Sequence, residues 1–128
     1  MQTLFLKTAA ILGAVAVAAG AFGAHALKQV LSEKYLAVFE TAVRYQFYHV
    51  FALVAIGILF KEFPNNYMLW SGRMFLSGIL LFSGSLYLLT LMEANGQNNF
   101  KWLGAITPLG GVCLIAGWVL MAMGIFKN

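Results

Sequence analysis

The amino-acid sequence predicts an all-α integral membrane protein: a four-helix bundle with an amphipathic interfacial helix before, or continuous with, the second span. Composition is the first observation. Of 128 residues, 62% are hydrophobic and 9% charged, and the mean hydropathy is +0.84. A soluble domain averages about 45–50% apolar and about 25% charged residues. So small a chain exposes too much surface for so few charges to cover. Charge spacing is the second observation. Uncharged runs extend over Thr8–Leu27, Tyr45–Phe60, Met74–Met92 and Trp102–Phe126, close to the roughly 20 residues a helix needs to cross hydrocarbon. The third is periodicity: the runs are continuously apolar rather than alternating, which disfavours a strand barrel.

The first span is expected over residues 6–27. Lys7, the apolar stretch Thr8–Phe22 and Ala24-His25-Ala26 also fit the outline of a cleaved export signal. The length of the run and the spacing of Gly13, Gly20 and Gly23 favour a retained helix. Next comes the amphipathic segment, where Leu36, Phe39, Val43 and Phe47 recur at helical spacing opposite Glu33, Lys34, Glu40 and Arg44. The second span, 42–60, has a short uncharged run and borrows apolar residues from this segment, with Arg44 snorkelling to the interface. Lys61–Trp70, with Pro64-Asn65-Asn66, reads as a turn before the third span at 72–92. Glu93–Asn99, with Asn95-Gly96, reads as another before the fourth at 103–126. Pro108, behind Thr107, either starts the regular fourth helix or kinks it. Tyr67, Trp70, Phe100 and Trp102 flank the turns as an interfacial aromatic belt. Residues 1–128 thus read as one membrane domain, with no room for a separate soluble one.

Helices associate in lipid through close backbone approach and polar contacts. Ala9, Gly13, Ala16, Gly20 and Ala24 form a small-residue ridge on the first helix, and Gly110, Gly117 and Gly124 recur every seventh residue on the fourth. Gly13, Gly20, Gly110 and Gly117 are the expected packing residues. Cys113 has no intrachain partner and reads as a small core residue. The net charge of +4 is spread over the whole chain with no basic stripe, which excludes a nucleic-acid surface. Lys7, Lys61, Arg73 and Lys127 fall on the side of the termini, and Lys28, Lys34, Arg44 and Lys101 on the other. Setting Arg44 aside as the head of a helix and adding the terminal amine places both termini in the cytoplasm.

Four ordered motifs resemble a known family. They are Gly20-Ala21-Phe22-Gly23-Ala24-His25; Phe39-Glu40-Thr41-Ala42 with Tyr45 and His49; Leu81-Phe82-Ser83-Gly84-Ser85-Leu86-Tyr87; and Ile106-Thr107-Pro108-Leu109-Gly110-Gly111 with Gly117-Trp118. Together they resemble a family of small four-span membrane proteins of unknown function, with bacterial inner-membrane members and eukaryotic mitochondria-associated relatives. The resemblance covers nearly the whole chain. It implies the four-helix architecture and an inner-membrane location, and it implies no reaction.

Ionisable residues within spans are costly and are functional suspects by default. His49 lies within the second span and shares a helix face with Tyr45 and Tyr48. It is expected to face the bundle interior and to bond a hydroxyl of the third helix or a tyrosine of its own face. The alternatives are a neutral packing histidine, a ligand site and a proton relay. His25, at the end of the first span, raises a bis-histidine haem or metal site, against which its different depth argues. Glu40 and Arg44 form either a solvated interfacial pair or an anionic-headgroup site. Ser83, Ser85 and Tyr87 give the third helix a polar stripe suited to back-bonding or cross-helix bonding. No phosphate loop, nucleophile elbow or paired intramembrane carboxylates occur. No cofactor or metal is expected.

The expected function is therefore a non-enzymatic inner-membrane scaffold or accessory component. Its partners would be the lipid bilayer and either further copies of itself or another membrane protein, met through Gly-rich faces, with no nucleic acid. The alternatives are a binder or carrier of a hydrophobic small molecule such as a quinone or lipid, using Arg44, Tyr45, His49 and Tyr87, and an oligomeric transporter. The lack of evident inverted repeats counts against the transporter.

Overall fold

A computed structural model describes residues 1–97, 99 and 102–127; Phe100 and Lys101, assigned above to the aromatic belt and the charge count, lie outside them. Among the described residues the chain is all helix and connection. Four helices are long and apolar enough to cross a membrane: α1 (Gln2–Leu27), α2 (Glu33–Leu59), α3 (Asn66–Ala94) and α4 (Leu103–Phe126).

Local chemistry sets most of the boundaries. Ser32, in extended conformation, caps α2 by accepting from the Tyr35 N–H, and Glu33 sits in the first turn, where the helix dipole favours a carboxylate. The amphipathic segment and the second span are therefore one continuous helix. Asn65 caps α3 by accepting from the Met68 N–H at 3.1 Å, so α3 begins at Asn66 and the expected turn over Lys61–Trp70 ends several residues early. Its cap also donates to the Gly124 carbonyl of α4 at 2.9 Å, which ties the turn to the far end of the chain. At the other end of α3, Gly96 adopts a left-handed φ of +76°, and the Gln97 N–H reaches back to the Met92 carbonyl. This is a Schellman ending, and it needs glycine. Pro108 lies inside α4 rather than at its start, and it has no N–H to offer the Gly104 carbonyl one turn earlier.

Two helices carry a π-turn. In α1 it spans Ala19–Gly23, with the Ala24 N–H bonded to the Ala19 carbonyl. In α3 it spans Ile79–Ser83, with the Gly84 N–H bonded to Ile79. Each such turn inserts an extra residue and rotates the face that follows.

The helices alternate in direction. α2 and α3 form the inner pair, α1 packs along α2, and α4 packs along α3; α2 is the most buried span and α1 the least. The core runs through Phe5, Ala9, Val50, Leu53, Ile56, Met68, Phe75, Ile79 and Leu114. Glycines set the close α3–α4 approach. A methyl group on Gly110 would lie 2.3 Å from the Phe82 backbone nitrogen, and one on Gly117 would lie 2.6 Å from the Phe75 ring. Gly13 and Gly20 face Val50 and Val43 of α2 at 3.5 and 3.2 Å, in looser contact. Cys113 is half-buried on α4 rather than a core residue.

Candidate functional site

The site starts from His49. It is buried, with 5% exposure, and lies one residue from the Val50–Gly13 contact, near the middle of both helices. Its Nδ1 is 2.7 Å from the Tyr45 carbonyl one turn earlier, and its Nε2 is 3.1 Å from the Trp118 indole nitrogen of α4. A carbonyl only accepts and an indole N–H only donates. His49 is therefore neutral, with its proton on Nδ1 and Nε2 accepting. The interior placement agrees with the sequence reading. The partner does not: it is a tryptophan of α4, neither a hydroxyl of α3 nor a tyrosine side chain, because His49 points between α3 and α4 rather than along the serine stripe.

Aromatic rings enclose the pair. Phe75 meets Trp118 edge-on at 5.1 Å and lies 5.7 Å from His49. Tyr45 stacks on Phe82 at 4.5 Å. Outside them, between α2 and α4, a groove of about 440 Å³ opens sideways from the bundle. Tyr45, Tyr48, His49, Phe82, Ile115 and Trp118 are among the residues that line it. Gly111 forms part of its wall, and a methyl there would meet only Phe82, at 3.9 Å; the groove owes part of its width to that missing side chain.

The Tyr45 and Tyr48 side chains are exposed in this groove, and their hydroxyls make no hydrogen bond with any described residue. Tyr45 is four residues and Tyr48 one residue from His49, which is about 6 and 1.5 Å along the helix. Both phenols thus stand within the roughly 15 Å half-thickness of a hydrocarbon core. A hydroxyl without a partner is costly there.

The other candidates are scattered. Tyr87 lies on another face, where its hydroxyl donates to the Gln46 amide oxygen at 2.7 Å and its ring packs on Phe39; it does not share a pocket with His49. Ser83 donates to the Ala42 carbonyl at 2.7 Å, and Ser85 bonds Thr107 of α4 at 2.6 Å. Both cross between helices, and neither reaches the groove. Glu40 and Arg44 are exposed on α2. His25 is exposed near the end of α1, level with the start of α2 and remote from His49, so the two histidines share no site. Among the described residues no group of three His, Cys, Asp or Glu side chains is placed to hold a metal.

Two residues take roles that the sequence reading did not give them. Trp118 had a signal: a tryptophan in the middle of an apolar run, away from any interface, needs a partner for its N–H. Gln46 also had one, since a buried amide must bond on both sides. It does so, donating to the Leu12 carbonyl of α1 at 2.7 Å while accepting from Tyr87 of α3.

The profile of a family described as a protein of unknown function (DUF423) matches residues 19–111. This chain belongs to that family. It is 46% identical over 126 residues to a UPF0382 membrane protein of Staphylococcus saprophyticus, covering 95% of this chain and 99% of the relative. A UPF0382 membrane protein of Staphylococcus haemolyticus is 42% identical, and one of a bovine strain of Staphylococcus aureus is 43% identical. Each covers 97% of this chain and 96% of the relative. No solved structure matches the chain. With its relatives named as membrane proteins and four apolar helices in its own fold, this family member is a membrane protein of uncharacterised role. The family match includes Tyr45, Tyr48, His49, Phe82 and Gly111 of the groove and ends before Leu114, Ile115 and Trp118.

Proposed function

We propose that this protein is a non-enzymatic component of the inner membrane, with both termini cytoplasmic. It binds a hydrophobic small molecule carrying carbonyl-type acceptors, such as a quinone, in the groove between α2 and α4. One observation carries the reading: two phenol hydroxyls without a partner among the described residues stand in an aromatic-walled groove at hydrocarbon depth. A flat ligand with acceptor oxygens meets both demands, stacking on rings and accepting from Tyr45 or Tyr48. His49 supports binding over catalysis, since both of its ring nitrogens are already engaged. The glycine faces of α4 support it indirectly, because they are occupied by α3 and leave little for a partner. The cytoplasmic termini rest on Lys7, Lys61, Arg73, Lys127 and the terminal amine against Lys28, Lys34 and Lys101, with Arg44 set aside within its helix.

The test uses the protein in nanodiscs with Trp70 and Trp102 replaced by Phe, so that Trp118 alone reports. A short-chain quinone should quench it saturably. Gly111→Leu, which fills the groove, should abolish saturation, and Tyr48→Phe should weaken it. Quenching that only follows partitioning into the bilayer, equal in all variants, refutes the site.

A second reading, an accessory subunit or self-associating scaffold, has its own support. Ala10, Ala14 and Ala18 repeat every fourth residue on the exposed face of α1, a spacing that lets helices approach closely. A stoichiometric protein partner retained in mild detergent and lost in Ala14→Leu would favour it.

A further inference from the structure

A different face of the bundle carries a second hollow, between α1 and α3 over α2. Its larger part, about 390 Å³, is walled by Ala19, Gly23 and Leu27 of α1 and by Tyr87 and Leu91 of α3, among others. Val15 and Tyr87 also line a smaller hollow of about 160 Å³, which ends at Gln46 and Ser83. The two hollows adjoin at Val15 and Tyr87. The larger hollow has its width because α1 presents the small residues Ala19, Gly23 and Ala26 between Val15 and Leu27, while α2 holds α1 and α3 apart.

Three features define its occupant. The first is length. From Val15 to Leu27 the groove rises about 18 Å at about 1.5 Å per residue, and one hydrocarbon leaflet is about 15 Å deep. The second is chemistry. At the floor the Gln46 amide is used on both sides, and the Ser83 hydroxyl is bonded to the Ala42 carbonyl. The walls above are apolar, so the groove offers hydrocarbon contact and no polar recognition. The third is charge at the mouth. Lys28 follows Leu27 directly and is exposed. Glu93, in the last turn of α3 on the same side of the bilayer, disfavours a head bearing more than one negative charge.

We infer that this groove holds one acyl chain of a phospholipid drawn from the leaflet on the Lys28 side, with the lipid's single phosphate at the Lys28 ammonium. The site shares no lining residue with the α2–α4 groove and stands whether or not that groove binds a ligand.

The experiment reconstitutes the full chain in nanodiscs of equal phosphatidylglycerol and phosphatidylethanolamine. The protein is then extracted into mild detergent, washed repeatedly, and its retained lipid counted by native mass spectrometry. One phospholipid per chain should remain. Ala26→Trp plugs the mouth at an exposed position and should cut retention about tenfold or more. Lys28→Glu should cut it several-fold, and Val119→Trp, on the exposed face of α4 and outside both grooves, should leave it unchanged. A matching unfolding midpoint shows that each variant is folded. Equal retention in Ala26→Trp and Val119→Trp overturns the proposal, because it marks the lipid as ordinary annular lipid. Retention of a free fatty acid, or a dimer of this chain that Ala26→Trp dissociates, overturns it as well.

Discussion

Replacing Trp118 by Phe removes one N–H and keeps most of the ring packing against Phe75. In the native protein that N–H reaches His49 Nε2 at 3.1 Å, and His49 has only 5% exposure. The phenyl ring leaves Nε2 without a donor in a site that water does not reach. A side-chain hydrogen bond between membrane helices contributes about 0.6 kcal/mol on average and up to about 1.7, and a buried acceptor left unpaired costs about 1–3 kcal/mol. Trp118→Phe should therefore destabilise the bundle by about 1–2 kcal/mol. His49→Phe should cost a similar amount by stranding the indole. The double variant removes both partners and should cost about 1 kcal/mol less than the sum of the singles. Reversible unfolding in mixed micelles measures all three. A second readout is independent of stability: nitrogen-15 NMR of His49 should show protonated Nδ1 and unprotonated Nε2. Additivity within about 0.3 kcal/mol, or a proton on Nε2, would refute the pairing.

Further outcomes follow from other contacts. Gly110→Ala sets a methyl 2.3 Å from the backbone of α3 and should cost about 1–3 kcal/mol by overpacking; Gly104→Ala, with nothing within 4 Å, should stabilise by up to about 1 kcal/mol through helix propensity. Equal unfolding midpoints for the two would show that α3 and α4 do not approach as described. Tyr87→Phe leaves the buried Gln46 oxygen without its donor and should cost about 1–3 kcal/mol, part of which Gln46→Leu in the same chain should restore. A C-terminal reporter should be active in the cytoplasm, and activity only in the periplasm would reverse the topology.

The fold was legible because the bilayer imposes it. Twelve charges among 128 residues mark the ends of the apolar runs, and backbone satisfaction leaves the helix as the natural way for such runs to cross. Boundaries were less legible where a side chain acts on backbone. Asn65 starts α3 early because its carboxamide caps one helix and its NH₂ reaches another, and the second of these roles is invisible in sequence. The site was half legible. Helical spacing groups Tyr45, Tyr48 and His49 on one face, and the structure keeps them together. It separates Tyr87 from them because Gln46, about 100° round α2 from Tyr45, bonds Tyr87 and Leu12 of α1, while His49 bonds Trp118 of α4. The family profile gives the architecture a name and the site no chemistry.

Polar accounting across the helices gives the groove its weight. Each close helix pair is joined by a side chain bonded to the backbone of the next helix: Gln46 to Leu12, Ser83 to Ala42, Ser71 to Gly117 and Asn65 to Gly124. Two of the four acceptors are glycine carbonyls, which follows from geometry, since a missing side chain lets a serine or asparagine come within reach of the main chain. Thr41 and Thr90 bond back to their own helices, and His49 is paired with Trp118. Every buried side-chain nitrogen and oxygen among the described residues has a partner. Among the described residues, the phenol hydroxyls of Tyr45 and Tyr48 are left without a hydrogen-bond partner. They sit together, at depth, beside a cavity with aromatic walls. A bundle that bonds its buried polar atoms so completely has no structural need for two unpaired hydroxyls at its lipid-facing surface. Under the proposed function, they serve a molecule that enters the groove from the bilayer.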